Sequence, residues 1–302
     1  MTVNEINEQI FALGELDKVD VFKVGKSTFN RDILGVHIGS YTGNQIMLTG
    51  AIHAREYITS LLLVKMVRYL SEKHFDGGFY FVPLVNPDGV ALVLEGVGSL
   101  PNCENFRRYI VDVNNGEDNF SLWKANGEAV DINVNFDALW GDGVQNIVCP
   151  FRENFIGFYP ESARETRELA AFTRRNYPAL TIDYHTKGEV IYYGFENQSA
   201  EARSKNLKIA NDIAEYTGYQ VVRSEGSVGG FQDFSIAELQ IPSVTIEVGK
   251  AEWQHPLDER YLQEIFERNK DVPLVALNSI NSMRKAGRVS GKRLWKGLCL
   301  RR

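Results

Sequence analysis

The sequence predicts an α/β fold: a three-layer α/β/α arrangement around a mixed, largely parallel central sheet. Two observations predict it. Short apolar runs of strand character alternate with longer segments of helical periodicity along most of the 302 residues. The composition, 44% hydrophobic and 24% charged, is that of a globular chain long enough to cover a sheet on both faces.

Taken in order, Asn4 to Leu16 reads as an opening helix, and Val21 to Gly25 and Ile33 to Ile38 as strands flanking the turn-prone Asn30-Arg31-Asp32. Gln45 to Ile52 is an apolar run with strand character, and the segment from about Tyr57 to His74 is a helix apolar on most faces, hence buried. Phe79 to Val85 is a strand stopped by Asn86-Pro87-Asp88-Gly89, where Pro and Gly enforce a turn. Ser162 and Glu165 have capping-box spacing for a helix running to about Asn176. Leu180 to His185, Val190 to Phe195 and Val244 to Val248 read as strands, and Ala200 to Tyr216 as a helix ended at Gly218. Asp258 to Met283 is a closing helix with Pro273 as a kink or break.

No Pro/Gly/Ser-rich linker divides the chain, so residues 1–302 read as one domain. A net charge of −6 argues against general nucleic-acid binding, although 284–302 is a basic tail, either solvated or in contact with an anionic surface or neighbouring subunit. Cys103, Cys149 and Cys299 show no CxxC spacing, which suits reduced thiols rather than a disulfide framework. The polar amino terminus has no signal-peptide pattern, and the longest apolar run, Ile58 to Met66, is too short to span a bilayer. A cytoplasmic location is the expectation.

The chemistry concentrates at two strand ends. His53 and Glu56 lie three apart just past one apolar run, and His185 ends another. Two imidazoles and a carboxylate, with a fourth position open, form a cage for one catalytic Zn2+. Zinc lowers the pKa of bound water to about 7 and polarises a carbonyl, so an open site of this kind means hydrolysis. Taken alone, a His-x-x-Glu pair also arises by chance on helices.

The context of these residues carries a resemblance. Gly50-Ala51-Ile52-His53-Ala54-Arg55-Glu56, Asn86-Pro87-Asp88-Gly89, Val130-Asp131-Ile132-Asn133, Tyr184-His185-Thr186 and Thr245-Ile246-Glu247 follow the order and approximate spacing of the zinc carboxypeptidase family, from about residue 20 to 275. The resemblance implies that His53, Glu56 and His185 hold zinc. It implies that Glu247 takes a proton from the attacking water and passes it to the leaving amine. Asp131 resembles the aspartate that fixes the first histidine's tautomer, against the alternative of a turn-forming Asp. Lys124 falls where typical members place an oxyanion-stabilising arginine, and Arg55 where an arginine lies near substrate.

One departure bears on specificity. In Asn133-Val134-Asn135 the family carries Asn-Arg-Asn, whose arginine grips the substrate's terminal carboxylate through paired hydrogen bonds. Valine cannot do this. Together with Tyr184 to Tyr193 and Gly229-Gly230-Phe231-Gln232-Asp233-Phe234, the departure resembles bacterial γ-D-glutamyl-diaminopimelate peptidases. The implied substrate is a peptidoglycan stem peptide, cleaved between γ-D-Glu and meso-diaminopimelate or a similar diamino acid. Candidate substrate contacts are Arg55, Asn133, Val134, Lys187 and Glu189, with Arg107 and Arg108 weaker; the alternative for Lys187, Glu189, Arg107 and Arg108 is a solvated surface charge, and for Arg55 a structural partner for a carboxylate. His37, His74 and His255 carry no motif. Two other readings stay open: a metallocarboxypeptidase or amidase of other specificity, and a non-catalytic peptide-binding module.

Overall fold

The structure, a computed structural model, describes residues 1–195 and 198–283. The basic tail and Cys299 lie outside the described residues; Cys103 and Cys149 are exposed and unpaired. Among the described residues no helix is long and apolar enough to cross a membrane.

The strands are β1 (Val19–Lys26), β2 (Asp32–Gly39), β3 (Gln45–Thr49), β4 (Gly78–Val82), β5 (Leu180–His185), β6 (Val190–Tyr193), β7 (Gln220–Arg223) and β8 (Ser243–Glu247). They form one eight-stranded sheet in the order β1-β2-β4-β3-β5-β8-β6-β7. Pairing is parallel through the centre, β4-β3-β5-β8, and again between β6 and β7; it is antiparallel at β1-β2, β2-β4 and β6-β8. The expected mixed, largely parallel sheet is the one observed.

Helices cover both faces. On one side α1 (Val3–Phe11), α2 (Ile58–Ser71), α3 (Pro87–Glu95), α4 (Glu104–Val113), α6 (Ala200–Thr217) and α8 (Leu262–Asn269) join one apolar cluster with Ile46, Leu48, Phe79 and Phe81. On the other, α5 (Arg164–Asn176) and the single turn α7 (Phe231–Asp233) pack on Met47, Tyr80 and Val82. Strand alternation makes this possible, because successive side chains point to opposite faces. The expected closing helix is broken as Pro273 suggested: α8 stops at Asn269 and helix resumes over 272–283.

Two expectations are corrected. Asn86-Pro87-Asp88-Gly89 is not a turn but the start of α3, with Pro87 in the first turn and Asn86 Oδ1 accepting from Gly89 N at 3.0 Å. Proline's fixed φ suits a first helical turn as well as a β-turn. The capping box at Ser162 and Glu165 does not form: Ala163 is the N-cap of α5 and makes no side-chain bond. Glu165 is buried instead, and its carboxylate accepts from Thr28 N and Asn126 Nδ2, each at 2.9 Å.

Burial, then the Asp88 charge, pushes the Glu165 carboxyl up from 4.5 to about 7. For an acid whose folded value is raised, its contribution to stability is full below the unfolded pKa and declines as pH rises toward the folded one. Folding stability is therefore expected to drop by on the order of 2–4 kcal/mol between pH 4.5 and 7 from this carboxyl. Glu165→Gln removes that slope, whatever it does to absolute stability. Urea unfolding of both proteins at pH 5 and pH 8 checks it; equal slopes would contradict the assignment.

Candidate active site

The three central strands carry a polar ladder at their carboxyl ends. On β5, Leu180, Ile182 and Tyr184 face the larger apolar cluster, leaving Thr181, Asp183 and His185 on the opposite face. On β8, Val244 and Ile246 leave Ser243, Thr245 and Glu247 in the same way. Register sets Thr49 beside Asp183, Asp183 beside Thr245, and His185 beside Glu247. Polar residues thus collect where the strands of open α/β sheets end, which is where such folds place ligands.

His53 and Glu56 come to this ladder from the loop after β3. His53 caps a 3-10 turn at Ala54–Glu56. With three residues per turn, positions three apart eclipse, so the His-x-x-Glu spacing puts both side chains on one edge. Ala51 takes φ +50°, a left-handed conformation that costs a residue with Cβ roughly 1–2 kcal/mol. It is held by Thr59 Oγ1, which accepts from Ala51 N at 2.7 Å. Asn86 Nδ2 donates to Ile52 O and Ala125 O, each at 3.0 Å, tying the loop to the next segment. Ala54 N and Arg55 N then donate to Lys124 O and Trp123 O.

The donor set fits zinc. His53 Nδ1 and His185 Nδ1 lie 3.0 Å apart, and each is within 3.0 Å of a Glu56 carboxylate oxygen. Tetrahedral zinc with bonds of about 2.0–2.1 Å spaces its ligand atoms roughly 3.3 Å apart. Two facing ring nitrogens are unfavourable neighbours unless a proton or cation lies between them. Among the described residues these three are the group of His, Cys, Asp or Glu side chains close enough to share an ion. Burial opposes ionisation of Glu56, but His53 and His185 overcome it and hold the carboxyl well below the usual range. Thr186 N donates to Glu56 Oε2 at 3.1 Å and fixes its orientation.

Asp131 lies behind His53, its Oδ1 3.4 Å from His53 Nε2. Lys124 Nζ sits 2.9 Å from Asp131 Oδ2 and 3.1 Å from Asn154 Oδ1. Burial would raise the Asp131 carboxyl; the charges of Lys124 and then His53 outweigh it and keep it well below its ordinary value. Glu247 faces the cavity beside the cluster, with Oε2 shielded from solvent and without a hydrogen-bond partner. Burial first, partly offset by His185, pushes its carboxyl up to about 8.

These groups open into a cavity of about 340 Å³ whose lining also includes Tyr192, Ser224, Gln232 and Thr245. A larger cavity of about 560 Å³, beside the start of α6, contains none of them. Asn133 and Val134 line the active-site cavity against Gly229 and Gly230. A Cβ on Gly229, at φ +88°, would meet Val134 O at 3.0 Å, so glycine permits this close approach. Arg55 also lines the cavity, with Nη1 3.2 Å from Glu153 Oε2.

The structure does not bring the remaining candidates here. Lys187 donates to Ala251 O, Glu189 pairs with Arg268 at 2.6 Å, and neither lines the cavity. Arg107 donates to Leu100 O at 2.8 Å and Arg108 pairs with Glu104 on the surface of α4. His255, which carries no motif, does lie beside the site, with Nδ1 3.4 Å from Thr186 Oγ1. Burial lowers it to about 4, leaving it neutral at pH 7. The sequence reading also missed Asp183, whose Oδ2 is 2.7 Å from His185 Nε2. The signal was there: two residues apart on a strand share a face.

Comparison with known proteins agrees with this geometry. A family model for zinc carboxypeptidases matches residues 12–271. Gamma-D-glutamyl-L-diamino acid endopeptidase 1 of Lysinibacillus sphaericus is 30% identical over 256 residues, 78% of this chain and 62% of that protein's length. The chain therefore spans a little under two thirds of that relative. Bovine thrombin-activatable fibrinolysis inhibitor, solved with a tick carboxypeptidase inhibitor, superposes with TM-score 0.76 at 20% identity, covering 93% of this chain and 97% of that one. Carboxypeptidase A of Helicoverpa armigera gives TM-score 0.71 at 19% identity, over 94% and 74% of the two chains. These structural likenesses establish a shared fold.

Proposed function

We propose, from the premise that this chain belongs to the zinc carboxypeptidase family and is a metallopeptidase, that it hydrolyses the amide bond between γ-D-glutamate and meso-diaminopimelate, or a similar diamino acid, in peptidoglycan stem peptides. His53, Glu56 and His185 would hold the zinc ion. When bound there, zinc supplies a Lewis acid and lowers the pKa of water.

The protein's own groups do the rest. Glu247 accepts a proton on its free carboxylate oxygen from the water that adds to the scissile carbonyl carbon. As the C–N bond breaks, the same carboxyl returns that proton to the leaving nitrogen, so one group serves as base and then acid. Its raised pKa, near 8 without metal, suits a group that must hold a proton between the two steps. Asp131 keeps His53 oriented, and Lys124 neutralises Asp131 and adds positive charge at the edge of the cavity.

The observation that carries the specificity is Val134. It lines the cavity at the position where the sequence resemblance places the family's carboxylate-gripping arginine, and a valine offers a terminal carboxylate no hydrogen bond. The lysine and arginine that do line the cavity, Lys124 and Arg55, are already paired with Asp131 and Glu153. With valine in the arginine's position the cavity suits an internal bond, and the name of the Lysinibacillus relative agrees. Side-by-side assays of a C-terminally blocked stem peptide and a free-carboxylate dipeptide test this. Cleavage of the blocked peptide is expected; cleavage of the dipeptide alone would favour a carboxypeptidase that uses Arg55 for the terminal carboxylate.

A further inference from the structure

We propose that Asp183 is a positioning residue for the metal, orienting His185 toward it, and that Thr49 holds Asp183 for that task. The three side chains form one buried chain of contacts, with relative exposures of 0% for Thr49, 1% for Asp183 and 2% for His185. Thr49 Oγ1 donates to Asp183 Oδ1 at 2.6 Å, and Asp183 Oδ2 lies 2.7 Å from His185 Nε2. Sheet register sets Thr49 directly beside Asp183.

The surroundings decide the tautomer. Asn133 Nδ2 is 3.5 Å from the same ring nitrogen, and Asn133 Oδ1 is occupied by Phe231 N at 3.0 Å, which fixes the amide with its NH2 toward the ring. A carboxylate only accepts, so Asp183 at 2.7 Å keeps the proton on Nε2 against the longer contact with the Asn133 amide, and Nδ1 is the nitrogen left facing Glu56 and His53 for a metal. That is the form a metal-ligating histidine needs.

Charge points the same way. Asp131 is matched by Lys124 at 2.9 Å and stands 3.4 Å from His53. Glu56 and Asp183 are both buried, and among the described residues their ion-pair partners are histidines alone. Two buried carboxylates without a lysine or arginine suit a divalent cation, since buried charge without a compensating partner is unfavourable. Asp183 thus supports the site more directly than Asp131 does.

This inference rests on the proposed zinc site, and its test separates the two. Metal-stripped wild type, Asp183→Asn, Thr49→Val and the double variant are titrated with zinc against a competing chromophoric chelator, with folding checked by circular dichroism. Wild type should bind one zinc. Asp183→Asn, which keeps the shape but loses the charge, should bind about 10–100-fold more weakly. Thr49→Val should weaken binding several-fold alone and add little to Asp183→Asn, because it acts through that carboxylate. Failure of wild type to bind zinc would overturn the metal site itself. Zinc affinity within twofold of wild type in Asp183→Asn, or in Thr49→Val should Asp183→Asn not fold, would overturn only the role of Asp183.

Discussion

Glu247→Gln is expected to lower turnover by about 10²–10⁴-fold, the range for loss of a general acid-base, while zinc content stays at the wild-type level. Glutamine matches glutamate in shape but cannot accept and return a proton. The residue is suited to this comparison because its Oε2 is buried without a partner, so the substitution breaks no hydrogen bond at that atom. Glu247 is also separate from the three clustered donors, which leaves the metal's ligands intact. In the metal-free protein its carboxyl is raised to about 8, by burial first, and zinc's positive charge moves it down toward neutrality. Wild-type kcat/KM should therefore rise with pH along an acid limb to which Glu247 contributes, and the variant should lose that contribution while keeping any limb from the metal-bound water. Steady-state kinetics with metal analysis of the same samples checks this, and a zinc-replete variant with normal turnover would remove Glu247 from the mechanism.

Stripping the metal is expected to abolish hydrolysis, with one equivalent of zinc restoring it. The effect should be near total because the remaining groups, Glu247 and Lys124, supply a base and a positive charge but no activated water. The same titration has a structural readout. Two facing histidine nitrogens 3.0 Å apart, beside a buried glutamate, need a proton or a cation between them. Zinc that binds the folded state alone stabilises it by RT ln(1 + [L]/Kd), about 4 kcal/mol at a thousandfold excess over Kd. The unfolding midpoint should rise with zinc and fall again with chelator. Undiminished activity in protein shown to be metal-free would contradict the account, and the non-catalytic reading would gain if the folded protein took up no zinc.

How much of this was legible in the sequence differs by residue. Strands such as Leu180–His185 are readable because a buried strand declares itself locally, and the candidate ligand histidine sits at its end. The His53-Glu56 spacing became meaningful through its neighbours in the chain rather than on its own. Two kinds of information were missing. The start of helix α3 reads as a turn because Asn-Pro-Asp-Gly satisfies turn chemistry and helix-start chemistry equally, and only the following contacts decide between them. Glu165 was read as a cap because its decisive partners, Thr28 and Asn126, are distant in sequence. The same limit explains Lys187 and Glu189: closeness to His185 along the chain does not carry them into the cavity, whereas Asp183, on the same strand face, lies against His185 behind it. Helix α4 and the four-residue strand β7 lay outside the sequence reading; in β7 no residue is buried enough to mark it.

The central claim joins a zinc-type hydrolysis to one particular bond, and a single measurement reads both. A C-terminally blocked stem peptide is hydrolysed in H2(18)O for one turnover, and the products are analysed by mass spectrometry. The account predicts one 18O atom in the γ-carboxyl of D-glutamate and an unlabelled, blocked diamino acid fragment with a free amine. Label in a carboxyl at any other peptide position, or cleavage that requires a free terminal carboxylate, would contradict it.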